Sequence, residues 1–213
     1  LPINKLICAS NNNNVLYDFL TTGIYDKNRD FLKTVSPSMD ILISSNLERL
    51  LYDLSGSDDK YIKSLMDELK QNGKYQVNAD ILAKLKAEFG SGYASDEETS
   101  HIIKKVWEEE KYLLDPHTAV ASAVYQKYRT ATGDETTTVI ASTASPYKFP
   151  VVAVEAVTGQ TGLSDFEALA QLHDLTGVSI PAAVDGIETA EVRHKIIVAA
   201  DQMQAAVEKD LGL

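Results

Sequence analysis

Only one cysteine, Cys8, occurs in the 213 residues, which excludes a disulfide framework and a thiolate metal cluster and makes a reducing cytoplasm the expected setting. Cys8 lies in an apolar run and reads as a small core residue. Positive charge is scarce too. Twenty Lys and Arg face 31 Asp and Glu, a net charge of -11, whereas nucleic acid or an anionic membrane needs concentrated Lys and Arg. Neither is expected as a partner. No apolar stretch approaches the roughly 20 residues that span a bilayer, and no signal-peptide pattern precedes the first strand. His101, His173 and His194 have no ligand-like spacing to one another or to carboxylates, so no metal site is expected. An initiating Met is also lacking. The chain opens at Leu1 in sequence that already reads as mid-domain, which suggests a piece of a longer polypeptide.

What is present is globular, 44% hydrophobic, and long enough for one domain or two small ones. Lys5 to Ala9 reads as a strand, Ser10 to Asn14 as turn and cap, and Val15 to Leu20 as a helix closed by Gly23. Asp26 to Ser38 reads as a loop and Met39 to Ser44 as a strand. Ser45-x-x-Glu48 has capping-box spacing before a helix carrying Leu47, Leu50, Leu51 and Leu54. From Asp58 to Leu114 the text is helical and charged. One stripe ends at Gly73, a second at Gly90, and a third helix is capped by Ser95-x-x-Glu98. Asp115 is an N-cap with Pro116 at the first helical position of a helix running toward Gly133. A β-branched run, Thr136 to Ser142, reads as a strand. Helices follow from Pro150 and, behind the cap Ser164-x-x-Glu167, up to Gly177, then a strand-like Lys195 to Val198 and a closing helix with Met203, Val207 and Leu211. Gly90-Ser-Gly92 and Gly159-Gln-Thr-Gly162 read as helix ends. Alternating strands and helices imply an α/β fold with a mostly parallel sheet.

In open α/β sheets, ligands bind beyond the carboxyl ends of the strands, so a short polar loop after a strand is a place for chemistry. Ser142 to Lys148 is such a loop, although its composition alone is that of an ordinary turn. Pro116-His117-Thr118 lies at a helix N-terminus, where free N–H groups and the dipole favour an anion. A capped helix whose His faces solvent is the plain alternative. Lys148 suits a substrate phosphate as a point charge, or is a solvated surface lysine. Asp40 and Arg49 carry no assignable role and read equally as an ion pair. The Asn11 to Asn14 run reads as turn and cap.

Four segments together resemble the threonine synthase family: Lys5-Leu-Ile-Cys-Ala-Ser-Asn11, Ser36-Pro-Ser-Met-Asp-Ile41 with Ser45-Asn-Leu-Glu-Arg49, Leu114-Asp-Pro-His-Thr-Ala-Val120, and Ala141-Ser-Thr-Ala-Ser-Pro-Tyr-Lys-Phe149. They cover about the first three quarters of the chain. The resemblance implies the C-terminal part of a fold type II pyridoxal-phosphate enzyme, mostly parallel in its sheet, with a large helical insert. Implied segments are 1–44 and 115–160 for the cofactor-binding α/β domain, 45–114 for the insert, and 161–213 for a C-terminal α/β segment. It implies Thr143 at the pyridine nitrogen of pyridoxal 5'-phosphate, and His117, Thr118 and Lys148 toward the substrate, O-phospho-L-homoserine. A hydroxyl can donate to a neutral pyridine nitrogen but cannot hold a pyridinium as an Asp would. Ser145 stands where some relatives carry His, so a role for an imidazole there does not transfer.

No Ser-Phe-Lys-Asp-like lysine motif and no Gly-Asn-Phe-Gly-like phosphate loop occurs in the chain. The Schiff-base lysine is therefore expected upstream of Leu1, no catalytic residue is assigned within the chain, and the missing N-terminal half becomes the implied partner. Two other readings stay open: a related fold type II dehydratase acting without substrate phosphate, and a noncatalytic binding module.

Overall fold

Turn and cap chemistry sets the first α/β unit in the computed structural model, which describes residues 2–213. β1 (Leu6–Ser10) leads through the asparagines into α1 (Val15–Thr22), which Gly23 ends at a φ of 79°. A short β2 (Ile24–Asp26) and an irregular segment follow, then α2 (Leu47–Leu54) and α3 (Asp59–Asn72). β3 (Lys74–Gln76) pairs antiparallel with β2 and stacks Tyr75 on Tyr25 at 5.2 Å. α4 (Ala79–Glu88) passes directly into β4 (Phe89–Tyr93), which lies parallel to β1 with Cys8 opposite Ser91. α5 (Asp96–Glu110) carries the expected capping box of Ser95 and Glu98, and α6 (Pro116–Thr132) starts at the expected Asp115. α7 (Pro150–Thr158) and α8 (Asp165–Thr176) then pack together, α8 behind a second capping box of Ser164 and Glu167.

The β1–β4 pair is covered on both faces, as parallel strands are. Alternate residues of β1 go opposite ways: Ile7 and Ala9 pack on a core containing Ile103, Val120, Val154 and Leu172, while Cys8 packs on one containing Phe19, Leu51, Ile81 and Leu85. Burial pushes the Cys8 thiol up, and its half-buried side chain packs against the second of these cores.

The chain divides after Ile180. α8 thus belongs with the first unit. The second unit, Pro181–Leu213, consists of turns, extended backbone and α9 (Met203–Leu211), and its apolar residues are largely exposed. No helix among the described residues is long and apolar enough to cross a membrane.

Several expected elements differ. Met39 to Ser44 is not a strand: a 3-10 turn occupies Pro37–Met39, and the Tyr25 hydroxyl donates to the Leu42 carbonyl and accepts from the Ser44 N–H, occupying groups a ladder would need. α2 forms, but Ser45 does not cap it; Asn46 precedes it with no side-chain cap. The helical text of 45–114 contains β3 and β4, so Gly90 and Gly92 are strand residues rather than a helix end. Thr136 to Ser142 and Lys195 to Val198 form no ladder among the described residues, and Val139 and Ile197 are 90% and 96% exposed.

Candidate functional site

Asn11 follows directly on β1, at the carboxyl end of the parallel pair, and is 1% exposed. A buried amide must find partners. Its Nδ2 donates to Asp40 Oδ1 at 2.8 Å and to Thr34 Oγ1 at 2.8 Å, and its carbonyl oxygen accepts from the Asn13 N–H. Asn13 donates to the same Asp40 oxygen at 2.9 Å, and the Thr34 N–H and hydroxyl complete the shell of that carboxylate. Asp40 is therefore held by asparagines and a threonine. Arg49 bonds instead to Asn46, so the Asp40–Arg49 ion pair does not form.

The same segment reaches α6. The Ser38 N–H donates to His117 Nε2 at 3.1 Å. A backbone N–H can only donate, so Nε2 carries the lone pair and Nδ1 the proton, which points to Asp115 Oδ1 at 3.2 Å. Phe149 closes over the imidazole, ring centroids 4.7 Å apart. His117 is buried, with both ring nitrogens engaged inside the chain. Asp115, 2% exposed, also accepts the His117 and Thr118 N–H groups and the Thr118 hydroxyl.

Pro116 has no N–H to offer, so the first-turn donors of α6 are taken by its own cap. The Thr118 hydroxyl also lies 3.2 Å from Ser142 Oγ and thereby ties the loop to α6.

Beyond that tie, Thr143 is exposed at the same end of the molecule, next to Ser142. Ser145 caps the short turn Pro146–Lys148, and Tyr147 is buried with its hydroxyl bonded to the Val178 carbonyl. Lys148 is exposed, its Nζ 5.6 Å from the Phe149 ring centroid. The fold thus brings Thr118 and Ser142 together, leaves Thr143 and Lys148 exposed, and buries His117 against Phe149. Sequence reasoning treated the Asn11–Asn14 run as simple turn chemistry. Its place immediately after a strand was the signal for the buried network. An open groove of about 800 Å³ between α5 and α6, lined by Glu97, His101, Ile102 and Lys127, is apart from this network and shares none of its residues.

Chemically, an exposed hydroxyl on an anchored loop can donate to a ring nitrogen, and a nearby lysine can meet an anion. Among the described residues, the buried part of this network holds no lysine. Gly90 and Gly92 are committed to β4.

Comparison with known proteins points one way. Residues 118–207 match the family model described as "Threonine synthase, C-terminal". The chain is 37% identical to threonine synthase from Saccharomyces cerevisiae, an alignment covering 100% of this chain and 42% of that protein. It is 38% identical to threonine synthase from Pseudomonas aeruginosa, covering 75% and 34% respectively. The solved yeast threonine synthase superposes with a TM-score of 0.82 at 34% identity, over 100% of this chain and 43% of that one. The solved "PLP bound" threonine synthase from Brucella melitensis gives 0.66 at 35% identity, over 80% and 36%. The chain spans less than half the length of each of these proteins. By motifs, fold and relatives, the chain belongs to the threonine synthase family, over the C-terminal part of that enzyme.

Proposed function

We propose that this chain is the C-terminal portion of a cytoplasmic threonine synthase that converts O-phospho-L-homoserine and water to L-threonine and phosphate. The observation that carries the reading is the Ser142–Lys148 loop, which matches the family motif and is anchored by Thr118 at the carboxyl end of the β1–β4 pair. Pyridoxal 5'-phosphate, when bound, supplies the electron sink for carbanion chemistry. In that scheme the Thr143 hydroxyl donates to the ring nitrogen and leaves it neutral, which moderates the sink. Lys148 faces the substrate phosphate as a point charge. Thr118 positions Thr143 through Ser142, and Asp115 fixes Thr118 and His117 behind it.

The lysine that binds the cofactor and the loop that holds its phosphate are assigned to sequence outside these 213 residues. Residues 1–213 alone are therefore expected not to turn over. The test is phosphate release from O-phospho-L-homoserine by the natural gene product and by residues 1–213. Release by the former alone supports the reading. Release by the short chain, or by neither, sinks it. In the natural product, Thr143→Val should shift the cofactor absorption spectrum and lower kcat more than it raises KM, with Thr143→Ser restoring both.

A further inference from the structure

Asn72 is the one asparagine in the chain followed by glycine, and its side chain is exposed. That dipeptide is the one most open to attack on itself. The backbone nitrogen after an asparagine can close a succinimide ring on the side-chain amide carbon, and glycine, without a Cβ, hinders the approach least and lets the backbone turn to meet it.

The fold holds this link from every side. At the end of α3 the Gly73 N–H donates to the Leu69 carbonyl at 3.0 Å, the cap of a residue at a φ of 72°. The Gly73 carbonyl accepts from the Lys27 N–H at 2.9 Å, and the Asn72 carbonyl accepts from Asn28 Nδ2 at 2.9 Å. A Cβ built at Gly73 would fall 2.0 Å from Asn28 Oδ1, so the Asn28 carboxamide lies against the bare Cα of the glycine. Asn28 is placed in turn by its own N–H, which donates to Asp26 Oδ1 at 2.9 Å, and Asp26 sits opposite Lys74 in the β2–β3 pair. Ring closure must bring the Gly73 nitrogen round to Asn72 Cγ, which rotates the peptide out of its helical orientation. That rotation breaks the bonds on both carbonyls and on the Gly73 N–H.

We propose that Asn72 is a site of spontaneous modification whose rate the fold sets, with Asn28 as the clamp that holds it back. In the step, the Gly73 nitrogen bonds to Asn72 Cγ, the carboxamide C–N bond breaks, and ammonia leaves with the proton of the Gly73 N–H. Water then opens the ring at either carbonyl and gives aspartate or isoaspartate. Both products loosen the corner. A carboxylate in the last turn of α3 meets the negative end of the helix dipole. Isoaspartate adds a methylene to the main chain before Gly73 and displaces the N–H that caps Leu69.

The test follows modification in the natural gene product at neutral pH, by peptide mass spectrometry with isoaspartate located in the fragment that contains residue 72. Modification should be fastest in urea and slowest in the folded wild type. In folded Asn28→Ala it should run roughly three- to tenfold faster than in folded wild type, the change expected when one hydrogen bond no longer opposes local opening. Hydrogen exchange of the Gly73 and Lys27 amides should quicken by a similar factor in that variant, while the core amides of Ile103 and Val120 keep their rates. Wild type supplies a second reading that needs no variant: at urea concentrations below the unfolding transition, Asn72 modification and Gly73 exchange should rise together. An Asn72 that stays intact in urea would overturn the site. Equal rates in folded and unfolded protein, or in wild type and folded Asn28→Ala, would overturn the clamp. So would core amides that quicken along with Gly73, or modification that rises without Gly73 exchange.

Discussion

Gly92→Ala should destabilise the chain because α6 crosses β4 too closely for a methyl group. No positive φ is involved, so the backbone itself tolerates alanine. The obstacle is Val124: a Cβ at position 92 would lie 2.8 Å from Cγ1 of a side chain that is buried and, being β-branched, held in one helical rotamer. Such overpacking costs about 1–3 kcal/mol. Replacing glycine gains about 0.4–1 kcal/mol by restricting the unfolded chain, leaving a net loss of ~1–2 kcal/mol.

Val124→Ala removes both Cγ atoms, and the nearest remaining Val124 atom is then Cβ at 3.7 Å, an ordinary contact. In that background Gly92→Ala should become stabilising by about 0.5 kcal/mol. Urea denaturation of the four species in a double-mutant cycle reads the coupling, expected at about 1.5–2.5 kcal/mol. An equal cost of Gly92→Ala in both backgrounds would refute close approach as the reason for glycine, and with it the packing of α6 on β4.

Asp115→Ala should cost about 2–4 kcal/mol in urea denaturation, from the lost N-cap and from leaving the Thr118 hydroxyl and His117 Nδ1–H without their acceptor. Asp115→Asn should recover most of the cap. Tyr25→Phe should lower stability by roughly 1–2 kcal/mol. It should also speed proteolysis within residues 40–46, since the hydroxyl holds the Leu42 carbonyl and the Ser44 N–H. The Lys127 ammonium and the Ser95 N–H hold the Glu98 carboxyl below the usual glutamate range. Its folded value is depressed, so its contribution is present above the unfolded value of about 4.3 and is lost as pH falls through the lower folded value. The stability difference between wild type and Glu98→Gln, followed by thermal melts from pH 7 to pH 3, should therefore shrink at the acid end. A difference that grows there would contradict the pairing.

Local rules carried much of the chain. The capping boxes at Ser95 and Ser164, the Asp115–Pro116 start of α6 and the glycines after α1, α3, α6, α7 and α8 were legible because each is settled within four or five residues by N–H groups and φ angles. The loop Ser142–Lys148 was legible as a motif. Its anchoring was not, because the Thr118–Ser142 contact joins residues 24 apart. Strands depended on what lies beside them. Phe89–Tyr93, with two glycines, became a strand because β1 offers a ladder and α6 demands bare backbone. Thr136–Ser142, with ideal composition, remained unpaired among the described residues. Met39 to Ser44 lost its ladder groups to one distant tyrosine hydroxyl. The asparagines after β1 turned from cap residues into a buried cluster because Thr34, Ser36 and Asp40 fold back onto them. Most helix ends are decided by nearest neighbours along the chain, so the sequence by itself determined them; the start of α2, which Ser45 does not cap, and the end of α4, which runs straight into β4, are the exceptions. Strand pairing and buried polar networks are decided by partners brought from far away, so only the tertiary structure could settle them.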